Sequence, residues 1–263
     1  MKNEGMGMDM VLIMNYAKGS SFPKGVAKVI IPEGITEIGC CAFKEYLSLK
    51  EVIIPEGVTE IGYEAFSRCE SLENITIPET VTTIKSDAFA ECSSLKEIVI
   101  PEGVTEISGW TFYRCRCLEK VIIPKGVKYI KGSAFAECTS LKEIVIPEGV
   151  IEIGNGAFFN CSSLENIIIP KGMVKINQAA FKCCRLKEIA IPEGVTEIKL
   201  QAFAKCTYLK EVTIQKGAIK IEDYAFAGCT NLEHIYVPKE YIDYYKSMDS
   251  LKEHVNKIFA YEE

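Results

Sequence analysis

The chain has 263 residues, of which 48% are hydrophobic and 25% charged, an ordinary balance for a chain that folds around a core. Thirty basic and 36 acidic residues leave a net charge of −6. That balance argues against nucleic acid as a main partner, because phosphate contacts need clustered Lys and Arg. No apolar run approaches the ~20 residues needed to span a bilayer, so no membrane insertion is expected.

At the N-terminus, Met10 to Met14 form a short apolar run that suits a first capping strand. Glu4, Asp9 and Asn15 interrupt the pattern of a signal peptide, and none is read here. Residues 1–25 are expected to be an N-terminal cap.

From residue 26 the chain repeats itself. Prolines stand at 32, 55, 78, 101, 124, 147, 170, 192 and 238, with Gln215 continuing the series. The spacing is 23 residues except between Pro170 and Pro192, where Cys184-Arg185-Leu186 is one residue short. The unit is Leu-x-x-Ile-x-Ile-Pro-x-Gly-Val-x-x-Ile-x-x-x-Ala-Phe-x-x-Cys-x-x. Leu-x-x-Ile-x-Ile alternates with period two and predicts a strand. Proline ends it for want of an N–H, and glycine permits the turn that follows. Ala-Phe-x-x-Cys predicts one short helical turn, with Phe and Cys on one face. A single unit leaves both sides of its core open, so units must stack and pair their strands in parallel. Ten strands at ~4.8 Å give a rod of roughly 45 Å.

The expected fold is therefore a repeat solenoid over residues 26–238. It has one parallel sheet of about ten short strands, with short helical turns opposite. Beyond Lys239 the repeat dissolves. Leu251, Val255, Ile258 and Phe259 predict an amphipathic helix, with Ser250 and Glu253 as a capping box. Residues 239–263 are expected to be a C-terminal cap.

The phrase Ile-Pro-Glu-Gly-Val-Thr-Glu-Ile-Gly-x-x-Ala-Phe-x-x-Cys-x-Ser-Leu resembles the BspA-like leucine-rich repeats of bacterial and protist surface proteins. The resemblance runs over about residues 26 to 238, and Ile235-Tyr236-Val237-Pro238 with Tyr241 to Lys246 resembles that family's usual ending. It implies a right-handed solenoid and a role in adhesion or protein binding at a cell surface. An intracellular interaction scaffold is the alternative reading.

Twelve cysteines need an account. Eight occupy one repeat column: Cys69, Cys92, Cys115, Cys138, Cys161, Cys184, Cys206 and Cys229. Identical positions on neighbouring coils suit a buried, reduced column better than disulfides. Cys40, Cys41, Cys117 and Cys183 lie off the column and are the expected exposed thiols. None of these cysteines shows both halves of a zinc site. His234 and His254 have no nucleophile or carboxylate in a defined role beside them. No phosphate loop, dinucleotide fingerprint, metalloprotease motif or nucleophile elbow occurs. Neither enzymatic activity nor a cofactor is expected.

The residue after the first Leu alternates through Lys50, Glu73, Lys96, Glu119, Lys142, Glu165 and Lys187. Opposite charges then meet on adjacent strands, an arrangement that favours correct register. The residue between the two inward Ile points outward, and that column includes Ile53, Thr76, Val99, Ile122, Val145 and Ile168. Seven of its ten members, Ile30 to Tyr236, are aliphatic where a solvent-facing position usually turns polar. Glu97, Lys120 and Glu143 belong to the mostly acidic column beside it. This stripe is the expected contact surface for a protein or glycan ligand, or for a second copy of the chain. Its rival explanation is the β-propensity of Val and Ile. Trp110, in a variable slot before the Ala-Phe column, is the candidate secondary contact.

Overall fold

The computed structural model describes residues 24–261 and the backbone strand Val11–Ile13. The chain is a right-handed coil of stacked repeats, and its turns pair through two parallel ladders. The first ladder is the expected sheet. Lys28–Ile30, Glu51–Ile53 and Asn74–Thr76 pair in parallel with Val29, Val52 and Ile75 in register. Glu97–Val99 and Lys120–Ile122 continue it, and Glu188–Ile191, Glu211–Ile214 and His234–Pro238 form its last part. Val11–Ile13 pairs with Lys28–Ile30 at the other end, whereas the rest of the expected N-terminal cap falls outside the described residues up to Lys24.

The second ladder was not anticipated. Two-residue strands such as Glu37–Ile38, Glu60–Ile61 and Thr83–Ile84 pair in parallel where the repeat crosses from Val to Ile. The Ile of each points inward and is buried. Between the ladders the Pro carbonyl accepts the N–H three residues on, as from Val104 to Pro101 at 3.0 Å, so Pro and Gly shape a tight turn.

The side opposite the first sheet differs from the expected helical turn. It contains no helix among the described repeats, and the reason lies in the backbone. Two residues per coil take left-handed φ, as Glu64 (51°) and Arg68 (62°) do, and a helix cannot run through them. Between them, alternate N–H groups leave the coil. Phe66 N–H donates to Ala88 O at 2.8 Å on the next coil, and Ser67 N–H stays within its own coil on Glu64 O.

Every core column is filled. Phe43, Phe66 and their successors to Phe226 are buried and stack with ring centroids 5.2 to 5.7 Å apart and planes within 11° of parallel. The one-residue deletion at Cys184-Arg185-Leu186 is absorbed in the loop. Leu186 remains buried, and Lys187 N–H still reaches Glu165 O at 3.2 Å.

The C-terminal segment also departs from expectation. Helix Ile242–Lys246 is followed by a 3-10 segment, Asp249–Lys257, that starts after Met248 without a side-chain cap. Ile258 and Phe259 are not helical. They lie on a strand, Ile258–Tyr261, that pairs with His234–Pro238 and adds one more strand to the sheet. Leu251 and Ile258 are buried against the last coil, as is Tyr245.

Candidate functional site: the exposed face of the first sheet

Alternation along each strand decides which side chains face out. In Glu97–Val99 the order is exposed, buried, exposed, and the same order holds in Glu51–Ile53, Asn74–Thr76 and Lys120–Ile122. The structure therefore brings Ile53, Thr76, Val99, Ile122, Val145 and Ile168 into one outward column. Exposure is uneven along it. Ile53, Val99 and Ile122 are 42–46% exposed, whereas Val145 reaches 81% and Ile168 76%.

The peak falls where the first ladder thins to a single bridge between Glu143 and Asn166. A shallow depression of about 260 Å³ sits beside this break, lined by Ile168, Ala190, Glu148, Glu188 and Lys171 among others.

Two charged columns border the stripe. The first contains Glu51, Glu97, Glu143, Glu188 and Glu211, interrupted by Lys28 and Lys120. Lys28 pairs with Glu51 at 2.8 Å and Lys120 with Glu97 at 2.7 Å. The expected contact residues Glu97 and Lys120 thus neutralise one another, while Glu143 makes no ion pair among the described residues. The second column follows the proline: Glu33, Glu56, Glu79, Glu102, Lys125, Glu148, Lys171, Glu193 and Lys216, all exposed. Sequence reasoning missed this border because Pro-Glu-Gly reads as a turn. The signal was the repetition of Glu at four successive units.

Trp110 is separate from this face. It occupies a left-handed slot (φ 61°), is 45% exposed and packs edge-on against Tyr113 at 4.6 Å. Arg114 lies over the Tyr113 ring at 4.8 Å and pairs with Glu137 at 3.0 Å. His234 stacks on Tyr236 at 5.3 Å, with Nδ1 3.8 Å from Glu211.

The cysteine column is buried and unbridged, whereas Cys40, Cys41 and Cys117 are exposed and Cys183 is half-buried. Each column thiol donates to the Phe carbonyl of the preceding coil, as Cys138 does to Phe112 O at 3.1 Å. Cys41 sits 3.4 Å from Cys40 and donates to Glu64 at 3.3 Å. Burial, then the bond to Cys40, pushes its thiol up to about 12. No group of three or more metal-ligating side chains occurs among the described residues.

A stacked coil with this repeat and an open sheet face is a leucine-rich-repeat solenoid. The model of the BspA type leucine rich repeat region matches residues 22–142 and 128–248, and the chain belongs to that family. Among solved structures, a leucine-rich repeat protein from Bacteroides ovatus is 30% identical with a TM-score of 0.80. The match covers 89% of this chain and 64% of that one, so this chain spans under two thirds of its relative's length. A leucine-rich repeat protein of T. pallidum is 26% identical over 89% of this chain and 84% of its own, with a TM-score of 0.46. No curated protein matches the chain.

Proposed function

We propose that this protein is a protein-binding module that engages its ligand through the exposed face of the first sheet, in an adhesive role at a cell surface. One observation carries the reading: an aliphatic column runs along that face and rises to 81% exposure at Val145. A contiguous apolar stripe exposed to water is unfavourable unless something covers it. β-propensity accounts for Val and Ile in a strand, but Val145 and Ile168 lie where the strand pairing has thinned to one bridge. The family supports an interaction role and leaves the ligand open.

The test is the triple substitution Val99→Thr, Ile122→Thr and Val145→Thr. Threonine keeps the β-branch, so the fold and melting temperature should hold. Capture of ligand from extracts of cells that meet this protein should fall. If capture and oligomeric state are both unchanged, the contact surface lies elsewhere, with Trp110 the next candidate.

A further inference from the structure

The charge of the molecule is not spread evenly. The two columns bordering the aliphatic stripe hold eleven carboxylates and five lysines from Lys28 to Lys216, an excess of six acids. That equals the net charge of the whole chain, −6. Lysines pair with three of the eleven, Glu51, Glu97 and Glu193. Glu33, Glu56, Glu79 and Glu102 stand on four successive coils without an ion pair among the described residues. At ~4.8 Å between coils such a row repels itself, which works against the fold.

The row does little for the structure in return. Glu79 accepts the N–H of Glu102 at 3.1 Å, and the other three make no such bond among the described residues. By contrast, the Lys50 to Lys187 column alternates in sign and forms pairs, as between Lys96 and Glu73 at 2.9 Å. Near Val145, Glu143 and Glu148 flank the most exposed aliphatic side chain on either side.

We infer that the ligand of this face is a cationic protein segment, extended and aliphatic along its centre, with Lys or Arg on both flanks. This rests on the sheet face being the contact surface. Charge complementarity selects the occupant. A second copy would bring acidic borders against acidic borders, and like charges across an interface oppose docking. A cationic segment offers each unpaired carboxylate a partner while its centre covers Val145 and Ile168.

The probe is a ten-residue peptide with a central run of Val flanked by Lys at both ends (Lys-Val), followed by fluorescence anisotropy. The same peptide with Glu in place of Lys (Glu-Val) and with Ser in place of Val (Lys-Ser) are the comparisons. Lys-Val should bind the intact protein, Glu-Val should not, and Lys-Ser should bind more weakly than Lys-Val. Glu97→Gln, Glu143→Gln, Glu148→Gln and Glu188→Gln together should weaken Lys-Val binding about ten-fold, with melting unchanged. Four changes on the second ladder, away from this face, Glu37→Gln, Glu60→Gln, Glu106→Gln and Glu152→Gln, alter net charge equally and should weaken it much less.

Equal loss in both glutamine sets, or none in either, overturns the cationic assignment. Equal binding of the Glu-Val peptide overturns it too. Val145→Ser with Ile168→Ser separates the two readings. If that pair weakens binding and the border set does not, the sheet face stands and the cationic ligand falls. If the pair has no effect while the border set does, the aliphatic stripe is not part of the site.

Discussion

A buried thiol in this coil has two jobs, to fill volume beside Phe and to bond the Phe carbonyl one coil back, and both require the protonated form. Burial holds Cys69 and Cys229 at about 12 and raises Cys92, Cys138, Cys184 and Cys206 well above an ordinary thiol. The unfolded chain loses those protons near the ordinary value of about 8.5, and the folded chain keeps them. Above that pH the unfolded state therefore binds fewer protons, and stability falls as pH rises towards the folded values. Each column thiol adds about 1.4 kcal/mol per pH unit to the slope once the unfolded form is ionised. Melting temperature should be flat from pH 6 to 8 and drop steeply from pH 9 to 11. A variant with Cys115, Cys138 and Cys161 changed to Ala should melt lower at pH 7 and show a shallower alkaline drop. Equal slopes in the two proteins would remove the thiols as the cause.

At the scale of elements, the C-terminal segment closes the last coil through Tyr245. Its hydroxyl accepts the Ile219 N–H at 3.0 Å and donates to Gly217 O at 2.8 Å, with the ring fully buried. Tyr245→Phe keeps the ring and strips both backbone groups of a partner, so it should cost about 1–3 kcal/mol in chemical denaturation. A loss below 0.5 kcal/mol would mean that water or backbone shifts replace the hydroxyl. We propose residues 239–261 as the cap on these contacts. Period and alternation made the first sheet legible, because inward Ile and outward Val recur with the strand's own period of two. The left-handed residues were not legible. Those slots hold Glu, Arg, Asp, Trp and Cys, and their φ is imposed by neighbouring coils rather than by residue type. Ile258 and Phe259 were misread because spacings of four and seven suit a helix, whereas the open edge of His234–Pro238 offered a strand partner. The outward column of the candidate site was readable from alternation. Its peak at Val145 was not readable, because alternation gives the side a residue faces and not how far it is exposed.

For the whole molecule, repetition makes register the main hazard, since one coil fits almost as well on any other. Alternating charge opposes a slip by one coil and tolerates a slip by two, because Lys187 pairs with Glu165 at 2.6 Å just as Lys96 pairs with Glu73. Deleting residues 89–111 should keep the solenoid and place Glu73 beside Glu119. Deleting 89–134 should place Glu73 beside Lys142 and restore the alternation. Salt screens like charges, so raising NaCl from 50 to 500 mM should raise the melting temperature of the one-coil deletion more than that of the two-coil deletion. The same response in both would show that the alternation has no bearing on register.

The inter-coil bonds opposite the first sheet all run one way. Cys41, Phe43 and Glu45 donate forward to Tyr63, Ala65 and Ser67, and the same three rows continue along the stack to Phe203 and Lys205. The strand ladders carry bonds in both directions, as Ile31 N–H to Ile53 O and Lys50 N–H to Ala27 O show, and largely cancel. Three aligned peptide groups per ~4.8 Å of rise amount to about one per 1.6 Å, close to the 1.5 Å density of an α-helix. This flank is therefore an electret with the polarity of a helix reversed. Its positive end lies toward the C-terminus, where N–H groups point outward, and its negative end toward the N-terminus. Coils can be added to such a rod in one orientation only, and two rods lying side by side attract when they run antiparallel.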